Sequence, residues 1–382
     1  MSLMIGGRGM RLNSGSRGVK LMVLVGYCGE FPVALLDRLN GYYDYNRRVL
    51  TELVREGYLK ERRMKAEQRH VVRSVSLTQK GLSLLRKVSP RHAAQIAAHT
   101  LAPASGQGNW PKTQRLHRGA ACLLMAMGVG AVWNPAVEKE DSKKLVYYST
   151  YEFNQKYGIS DDEEETEDDG TRKKKTGKDS KGSRASGIFV TQNLYYLVYY
   201  LGNRNMRWYQ ASENHLKRNI EFSPVGQGRS FSGYLFIGED WTVVENLVIN
   251  GFRKFSQTIR ILDIDSNFVT LDGNGILLMK AILNSQLRTR LCRAMYQSGY
   301  DMTHDIMYCL FPLDCIAQVH EPEHARHWRP GLWKAHFFSC QIDVVKKLNN
   351  KNSTLIEVPD QLLQQTLSCA DVNAFRAASF KA

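Results

Sequence analysis

The chain has 382 residues, a formal net charge of +15 and a hydrophobic share of 43%. That share is ordinary for a globular protein of two or three domains, but the charge favours a polyanionic partner, because phosphate contacts release condensed counterions. The seven cysteines are scattered, with no C-x-x-C pair, and the first residues lack the apolar core of an export signal. The sequence therefore predicts a cytoplasmic protein with reduced thiols and argues against a secreted, disulfide-bonded one.

The first segment, residues 1–17, is basic and rich in glycine, and we expect it to be a disordered arm. A later run, residues 119–137, carries no charge and is long enough to cross a bilayer. Glycines and an Asn-Pro pair interrupt its second half, so a buried helix is the better prediction. No membrane partner is expected.

Residues 18–88 have dense helical periodicity and predict one compact domain. Short apolar helices are expected at 19–27 and 32–39, followed by a third helix for which Asp44 is a plausible N-cap. Gly57 is expected to close that third helix. Its core face is predicted from four apolar residues at helical spacing, Val49, Leu50, Leu53 and Val54.

After Gly57 the segment "YLKERRM" is predicted to be extended, "KAEQR" to be a charged turn and "HVVRSVSL" to be a second strand. "TQKGLSLLRK" then predicts a helix capped by Thr78. Three helices, a strand, a charged turn, a strand and a helix make the order of a winged helix-turn-helix. In that fold the third helix enters the major groove of DNA and the wing contacts the backbone or the minor groove.

The candidate DNA-binding residues follow from this arrangement. They are the side chains that the core face of the third helix leaves outside, together with basic residues of the wing: Tyr45, Asn46, Arg47, Arg48, Thr51, Arg55, Lys65 and Arg69. A winged helix that serves only protein contacts is the alternative. The paired arginines and the basic wing favour double-stranded DNA.

The string "LTELVREGYLKERR…VSLTQKGLSLL" resembles the MarR-type winged-helix regulators, in which a leucine-rich helix ends at a glycine and a strand leads to "LT-x-x-G". The resemblance covers about residues 19–88 and supports the predicted fold. Residues 89–112 follow it, begin with helical character and end in a Pro/Gly/Ser-rich stretch that predicts a linker.

The remaining chain, residues 113–382, predicts an α/β domain with a mixed sheet flanked by helices, so the whole chain is α+β. Residues 160–186 are an acidic block followed by a basic block, and we expect a disordered loop at the tip of a hairpin; a nucleic-acid-binding tail is the alternative. Predicted strands and helices alternate on either side of this loop. The strands are expected at 144–150, 187–191, 194–202, 233–238, 267–271 and 340–347, and the helices at 211–222, 240–252 and 276–296.

A second resemblance covers more of the chain. "LHRGAACLLMAM" and "YYLVYYLGNRNMRWYQASENHLKRNIE" resemble segments of the replication-relaxation family of plasmids and integrative conjugative elements. That resemblance implies a DNA-binding accessory role in plasmid replication or conjugative transfer. It also implies a second domain similar to the restriction-endonuclease-like fold.

An active nuclease of that fold needs an Asp and a Glu-x-Lys on neighbouring strands to hold magnesium. The predicted strand 194–202 contains no acid, and Glu213 and Lys217 fall on a predicted helix. We therefore expect an inactive nuclease-like domain rather than an enzyme. No phosphate-binding loop, calcium loop or relaxase motif is recognisable, so no cofactor and no metal are predicted.

One cluster could still bind zinc, because Cys315, His320, His324, His327, His336 and Cys340 lie within one short segment. Their spacing fits no zinc-finger template, so surface histidines are the simpler interpretation. The segment 326–334, "RHWRPGLWK", could stack on exposed bases or pack as a loop around its tryptophans.

The sequence thus predicts a DNA-binding accessory protein of a mobile genetic element. It would dock on a specific duplex site, form a homo-oligomer and assist a relaxase or a replication protein. The alternatives are a winged-helix transcriptional regulator with a ligand-sensing or dimerisation domain, and an active metal-dependent nuclease.

Overall fold

The computed structural model describes residues 3–5, 10–13, 15–39, 42–65, 71–99, 110–132, 145–157, 183–202, 210–250, 252–254, 257–259, 266–300, 306–307, 333–349 and 353–367. The chain has a mixed α/β structure, in which helices and strands are interspersed along the sequence. The described residues group into two compact units, unit 1 up to Gly130 and unit 2 from Ala131. Each unit is described by itself.

Unit 1 combines helices with a small antiparallel sheet. Its helices are Arg17–Cys28 (α1), Tyr43–Arg55 (α2), Gln79–Val88 (α3), Pro90–His99 (α4) and Trp110–Gly128 (α5), with a 3-10 helix at Val33–Arg38. Its strands are Leu3–Ile5 (β1), Met10–Leu12 (β2), Phe31–Pro32 (β3), Leu59–Lys65 (β4) and Val71–Leu77 (β5). β3, β5 and β4 form one sheet in that order, and all pairings in it are antiparallel.

The boundaries of α2 and α3 follow from local chemistry. Val49, Leu50 and Leu53 are buried on one face of α2, as the apolar spacing predicts, but Val54, the fourth residue predicted for that face, is only half-buried. Gly57 has a φ of +75°, a left-handed conformation that ends the helix and that other residues adopt at a cost. The Thr78 side chain accepts a hydrogen bond from the Gly81 backbone N–H at 3.0 Å, which confirms the predicted cap of α3. A Cβ on Gly81 would lie 2.3 Å from the Tyr58 carbonyl oxygen, so only glycine lets α3 approach this closely.

Unit 1 departs from the sequence-based prediction at its start. β1 and β2 pair as a small antiparallel hairpin within the segment expected to be a disordered arm, and Leu12 there is buried. α2 begins one residue before Asp44, which lies in the first turn rather than at the N-cap. The expected helix 32–39 is a 3-10 helix, and Phe31 before it joins the sheet.

The end of unit 1 also differs from the expected boundary at residue 113. α4 occupies the first part of the segment expected to be a linker, residues 89–112. α5 belongs to unit 1, and contacts α1 and β3. Its second half is almost wholly buried, which explains why the uncharged run at 119–128 is helical. Within the described residues, no helix is both long and apolar enough to cross a membrane.

Unit 2 alternates strands and helices. Its strands are Val146–Ser149 (β6), Gly187–Val190 (β7), Leu194–Gly202 (β8), Ser230–Gly238 (β9), Phe252–Lys254 (β10), Gln257–Ile259 (β11), Ser266–Thr270 (β12), Ile306–Met307 (β13), Trp333–Phe338 (β14) and Ser353–Val358 (β15). Its helices are Thr150–Tyr157 (α6), Gln210–Glu221 (α7), Thr242–Asn250 (α8), Gly273–Leu283 (α9), Ser285–Gln297 (α10), Ser339–Leu348 (α11) and 360–367 (α12).

The main sheet of unit 2 is mixed, as predicted, with the order β12-β9-β8-β7-β6. β6, β7 and β8 form an antiparallel meander, whereas β8, β9 and β12 run parallel. Parallel neighbours require crossover connections, and α7 and α8 lie in those connections. The central strand β8 is an apolar and aromatic run buried over most of its length, which is typical of a strand covered on both faces. β13, β14 and β15 form a second, parallel sheet.

Three predictions in unit 2 are wrong in detail. Residues 340–347, predicted as a strand, lie in α11, because Ile342, Val345 and Leu348 also satisfy a helical period. The single helix expected at 276–296 is two helices, since Asn284 has extended backbone and caps α10. The charged loop expected to reach residue 186 ends earlier, because residues 183–186 are held against unit 2, with Ala185 buried.

Candidate nucleic-acid interface

The N-terminal half of α2 presents aromatic and basic side chains to solvent. Tyr42 is 87% exposed and Tyr45 is 47% exposed, although tyrosine is usually part-buried. Arg47 and Arg48 are both exposed, and the Arg48 guanidinium lies 5.8 Å from the centre of the Tyr45 ring. Two arginines and a tyrosine of the predicted set are thus exposed on α2, with Arg48 beside Tyr45, and we call these three residues the α2 face.

Thr51 and Arg55 extend the exposed side of α2 towards its C-terminus. The Thr51 hydroxyl donates a hydrogen bond to the Arg47 backbone carbonyl at 2.9 Å, so it is already engaged by its own helix. Arg55 forms ion pairs with Glu52 and with Glu56. The positive charge of α2 is therefore concentrated at Arg47 and Arg48, while that of Arg55 is locally compensated.

Asn46 is not part of this surface, which corrects the sequence-based prediction. It is completely buried, and its Oδ1 accepts a hydrogen bond of 2.7 Å from Nε of Arg17 on α1. Burial lowers the pKa of Arg17, which is consistent with a guanidinium that is partly withdrawn from water. Asn46 therefore fixes α2 against α1 and positions its exposed neighbours.

The strands β4 and β5 carry several charged side chains. Glu61 accepts hydrogen bonds from Arg63 at 2.9 Å and from Arg73 at 2.9 and 3.1 Å. The hydrogen bonds from Arg73 and Arg63 lower the pKa of Glu61 and keep it ionised. Of the two predicted wing residues, Arg69 lies outside the described residues and Lys65 is described only as the last backbone position of β4.

A buried carboxylate, Glu30, connects this sheet to α5. Its Oε2 lies 3.2 Å from Nη1 of Arg62, which also contacts Thr113 on α5 at 3.3 Å. The Ser74 hydroxyl donates to Oε1 of Glu30 at 2.5 Å, and Nε2 of His117 lies 3.8 Å from the same oxygen. Burial alone would raise the pKa of Glu30, but the effects of His117, Ser74 and Arg62 outweigh it and leave the pKa below its ordinary value.

Unit 2 contains a contrasting buried carboxylate, Glu213 on α7. It accepts hydrogen bonds from the hydroxyls of Tyr199 and Ser183 and from the backbone N–H of Arg184. Burial raises the pKa of Glu213, and it outweighs the hydrogen bonds from Tyr199, Ser183 and the Arg184 backbone and the charge of Arg184, which lower it. Lys217, one turn later, is directed to the Phe231 ring at 4.0 Å. Glu213 and Lys217 therefore have separate partners in the described part of the chain.

The Cys/His cluster is only partly described. His336 is buried in β14 with its ring edge-on to Tyr300, at 5.8 Å between ring centres. Cys340 is half-buried, and burial together with Asp360 raises its thiol pKa. Cys315, His320, His324 and His327 lie outside the described residues, as do residues 326–332 of the predicted stacking segment. Among the described residues, no group of three or more His, Cys, Asp and Glu side chains is arranged to hold a metal.

Sequence reasoning missed two features of the interface. Tyr42 and Tyr43 lie at the exposed start of α2, where the neighbouring Asp44 was taken as the helix boundary. The contact between Arg17 and Asn46 joins residues far apart in the chain and leaves no local signal. A search of protein-family models, of curated proteins and of solved structures finds no match to this chain.

Proposed function

We propose that unit 1 is a winged helix-turn-helix that binds double-stranded DNA, with α2 as the recognition helix. The α2 face carries this proposal, because Arg47 and Arg48 are exposed side by side near the start of a helix whose opposite side is anchored in the core. In this motif the N-terminal residues of the recognition helix contact base edges. Arginine makes the commonest specific contact, a bidentate pair with guanine.

The surroundings of α2 support the same role. α1, the 3-10 helix and α2 are followed by the antiparallel pair β4 and β5, the element order of a winged helix-turn-helix, and residues 66–70 between those strands lie outside the described residues. Arg63 is 69% exposed on β4, and its charge is shared with Glu61. We assign base contacts to Arg47 and Arg48, with Tyr45 beside them, and backbone contacts to the basic side chains of the wing.

The biological role follows from the sequence resemblance. We propose an accessory protein of a mobile genetic element that docks on a specific duplex site and assists a relaxase or a replication protein from the cytoplasm. A transcriptional regulator remains the alternative, and the location of the binding site, at a transfer origin or at a promoter, would separate the two. For unit 2 we propose a nuclease-like scaffold without cleavage activity, supported by the separate partners of Glu213 and Lys217.

The proposal is tested by selecting bound duplexes from a random pool with the full chain. We expect one enriched motif for the wild type and loss of the enrichment for the double variant R47A/R48A. Both side chains lie outside the buried face of α2, so the variant should remain folded.

The matched control is R86A/K87A, which removes two exposed charges from the last turn of α3 in the same unit. This control should select the wild-type motif. If R47A/R48A also selected that motif with equal enrichment, α2 would not be the recognition helix and unit 1 would be reassigned to protein contacts.

A further inference from the structure

The helix α10 in unit 2 carries a second basic surface that the proposed function does not use. Its sequence contains Arg288, Arg290 and Arg293 and no acidic residue. All three side chains are exposed, and none of them lies within ion-pair distance of a carboxylate in the described part of the chain. Other basic helix residues do have such partners, since Lys346 and Lys347 on α11 lie 4.0 and 3.6 Å from Glu357 and Glu245.

α10 has a buried apolar side and an exposed polar side. Leu291 and Met295 are buried and fix the inner side of α10. The opposite side forms the wall of a surface depression of about 380 Å³, lined by Ser285, Gln286, Thr289, Arg290 and Arg293. Tyr296, one turn further along the same side, is 65% exposed. We call this set, with Tyr296, the α10 face.

The spacing of two arginines on the α10 face indicates an anionic ligand. Arg290 and Arg293 are three residues apart, so they are neighbours on the helix surface, and like charges at such spacing destabilise a helix. An anion bound between them would remove that repulsion. The helix N-terminus contributes less, because the Asn284 side chain already accepts from the backbone N–H groups of Gln286 and Leu287 at 3.0 and 3.2 Å.

We propose that the α10 face binds the sugar-phosphate backbone of nucleic acid and gives unit 2 a contact of its own, independent of α2. Arginine forks match phosphate oxygens in a bidentate manner. The hydroxyl of Thr289 and the amide of Gln286 supply neutral donors of the kind that also contact phosphates. The exposed ring of Tyr296 adds a surface on which a base can stack.

The chain itself contains a competing anion, the acidic block at residues 161–169. A basic block at residues 172–175 follows it directly and offers that acidic block a cationic partner close in sequence. The net charge of +15 also favours the binding of an external polyanion by the protein as a whole. Both observations favour nucleic acid over the acidic block as the occupant of the α10 face.

The test compares R290A/R293A with wild type in the full chain, on a selected duplex and on a scrambled duplex at two salt concentrations. We expect roughly tenfold weaker binding, by the same factor on both duplexes, and a log–log salt slope that is smaller by about two, since each phosphate contact contributes about 0.9. The control K346A/K347A removes two charges from α11 and should leave both quantities unchanged.

An unchanged slope and unchanged affinities for R290A/R293A would overturn the proposal. Tighter DNA binding by this variant would also overturn it, because it would show that the arginines hold the acidic block instead. The outcome is separate from that of the α2 experiment: loss of α2 function would change the ratio between the two duplexes, whereas loss of the α10 contact would leave that ratio constant.

Discussion

The α2 face and the α10 face both carry exposed arginines on a helix, but the residues around those arginines differ. α2 mixes its arginines with tyrosines and with acids, and its third arginine, Arg55, is paired with Glu52 and Glu56. α10 has arginines, neutral donors and no acid. A mixed surface discriminates between partners because misplaced charges are penalised, whereas a uniformly cationic one attracts any polyanion. The two faces therefore suit base reading and backbone binding respectively.

Each unit also contains a buried carboxyl group, and its pKa is shifted in opposite directions in the two units. In unit 1, Arg62 lies beside Glu30 and the pKa of this carboxyl is below its ordinary value. In unit 2, hydroxyls surround Glu213 and burial raises its pKa. In unit 1 the interactions with His117, Ser74 and Arg62 outweigh burial and favour the ionised carboxylate of Glu30. In unit 2 burial outweighs the hydrogen bonds to Glu213 and favours its protonated carboxyl. The following variants separate these cases.

The largest effect is expected for Arg62→Met. Removing the guanidinium breaks the buried ion pair and leaves Glu30 with only Ser74 and His117 beside it, which costs about 3–5 kcal/mol of the free energy of unfolding of unit 1. Urea unfolding followed by circular dichroism measures this loss. Under conditions where unit 1 has unfolded, selective DNA binding should disappear while binding through the α10 face remains.

The matched control for that variant is Arg63→Met, the next residue on β4. Arg63 is 69% exposed and pairs with Glu61 at the surface, so its replacement should cost no more than about 1 kcal/mol. Equal unfolding midpoints for the two variants would show that Glu30 does not need Arg62.

The corresponding variant in unit 2 is Tyr199→Phe, which keeps the ring and removes the hydroxyl that binds Glu213. We expect unit 2 to lose about 1–3 kcal/mol, the cost of leaving a buried polar group with one partner fewer. Tyr200→Phe is the control, because the Tyr200 hydroxyl binds Glu239 at the surface at 3.2 Å, and its change should stay within about 0.5 kcal/mol. If both variants unfolded at the same urea concentration, the hydrogen bond to Glu213 would have no role in stability.

A smaller effect is expected from pH, and its sign should be opposite for Glu30 and for Glu213. The pKa of Glu30 is below its ordinary value of 4.5, so its stabilisation is complete above that pH and is lost as pH falls through the folded-state pKa. The pKa of Glu213 is above 4.5, so its contribution is most favourable below that pH and declines as pH rises through the folded-state pKa. Relative to wild type, Glu30→Gln should therefore become less stable as pH rises, and Glu213→Gln more stable. Unfolding free energies measured from about pH 2 to 8 would reveal this, with the Glu30 difference changing below about pH 4.5 and the Glu213 difference above it, and parallel curves would contradict it.

Local patterns were sufficient to predict much of unit 1. The apolar spacing of Val49, Leu50 and Leu53 gave the buried face of α2, and Thr78 gave the cap of α3. Two contacts distant in sequence were not predictable in this way. Arg17 draws Asn46 into the interior, and Arg62, held by Glu30, meets Thr113, so that α5 belongs to unit 1. These contacts depend on tertiary packing, which the residue types alone do not determine.

In unit 2 the spacing of the apolar residues was ambiguous, because it fitted both a strand and a helix. Ile342, Val344 and Val345 are β-branched and resemble a strand, yet three-residue spacing to Leu348 makes the same segment a good helix. The break at Asn284 was hidden because apolar residues continue on both sides of it. The sequence analysis predicted one helix at 276–296 and did not single out the arginines that form the α10 face.

The central claim, that α2 reads DNA sequence, is tested most directly by the ratio of dissociation constants for the scrambled and the selected duplex. For wild type and for R86A/K87A we predict the same large ratio. For R47A/R48A we predict that the ratio falls at least roughly thirtyfold, because two base-reading arginines at about 1–3 kcal/mol each contribute at least about 2 kcal/mol of discrimination together. A ratio that stays at the wild-type value, even with weaker binding to both duplexes, would contradict the assignment of α2 as the recognition helix.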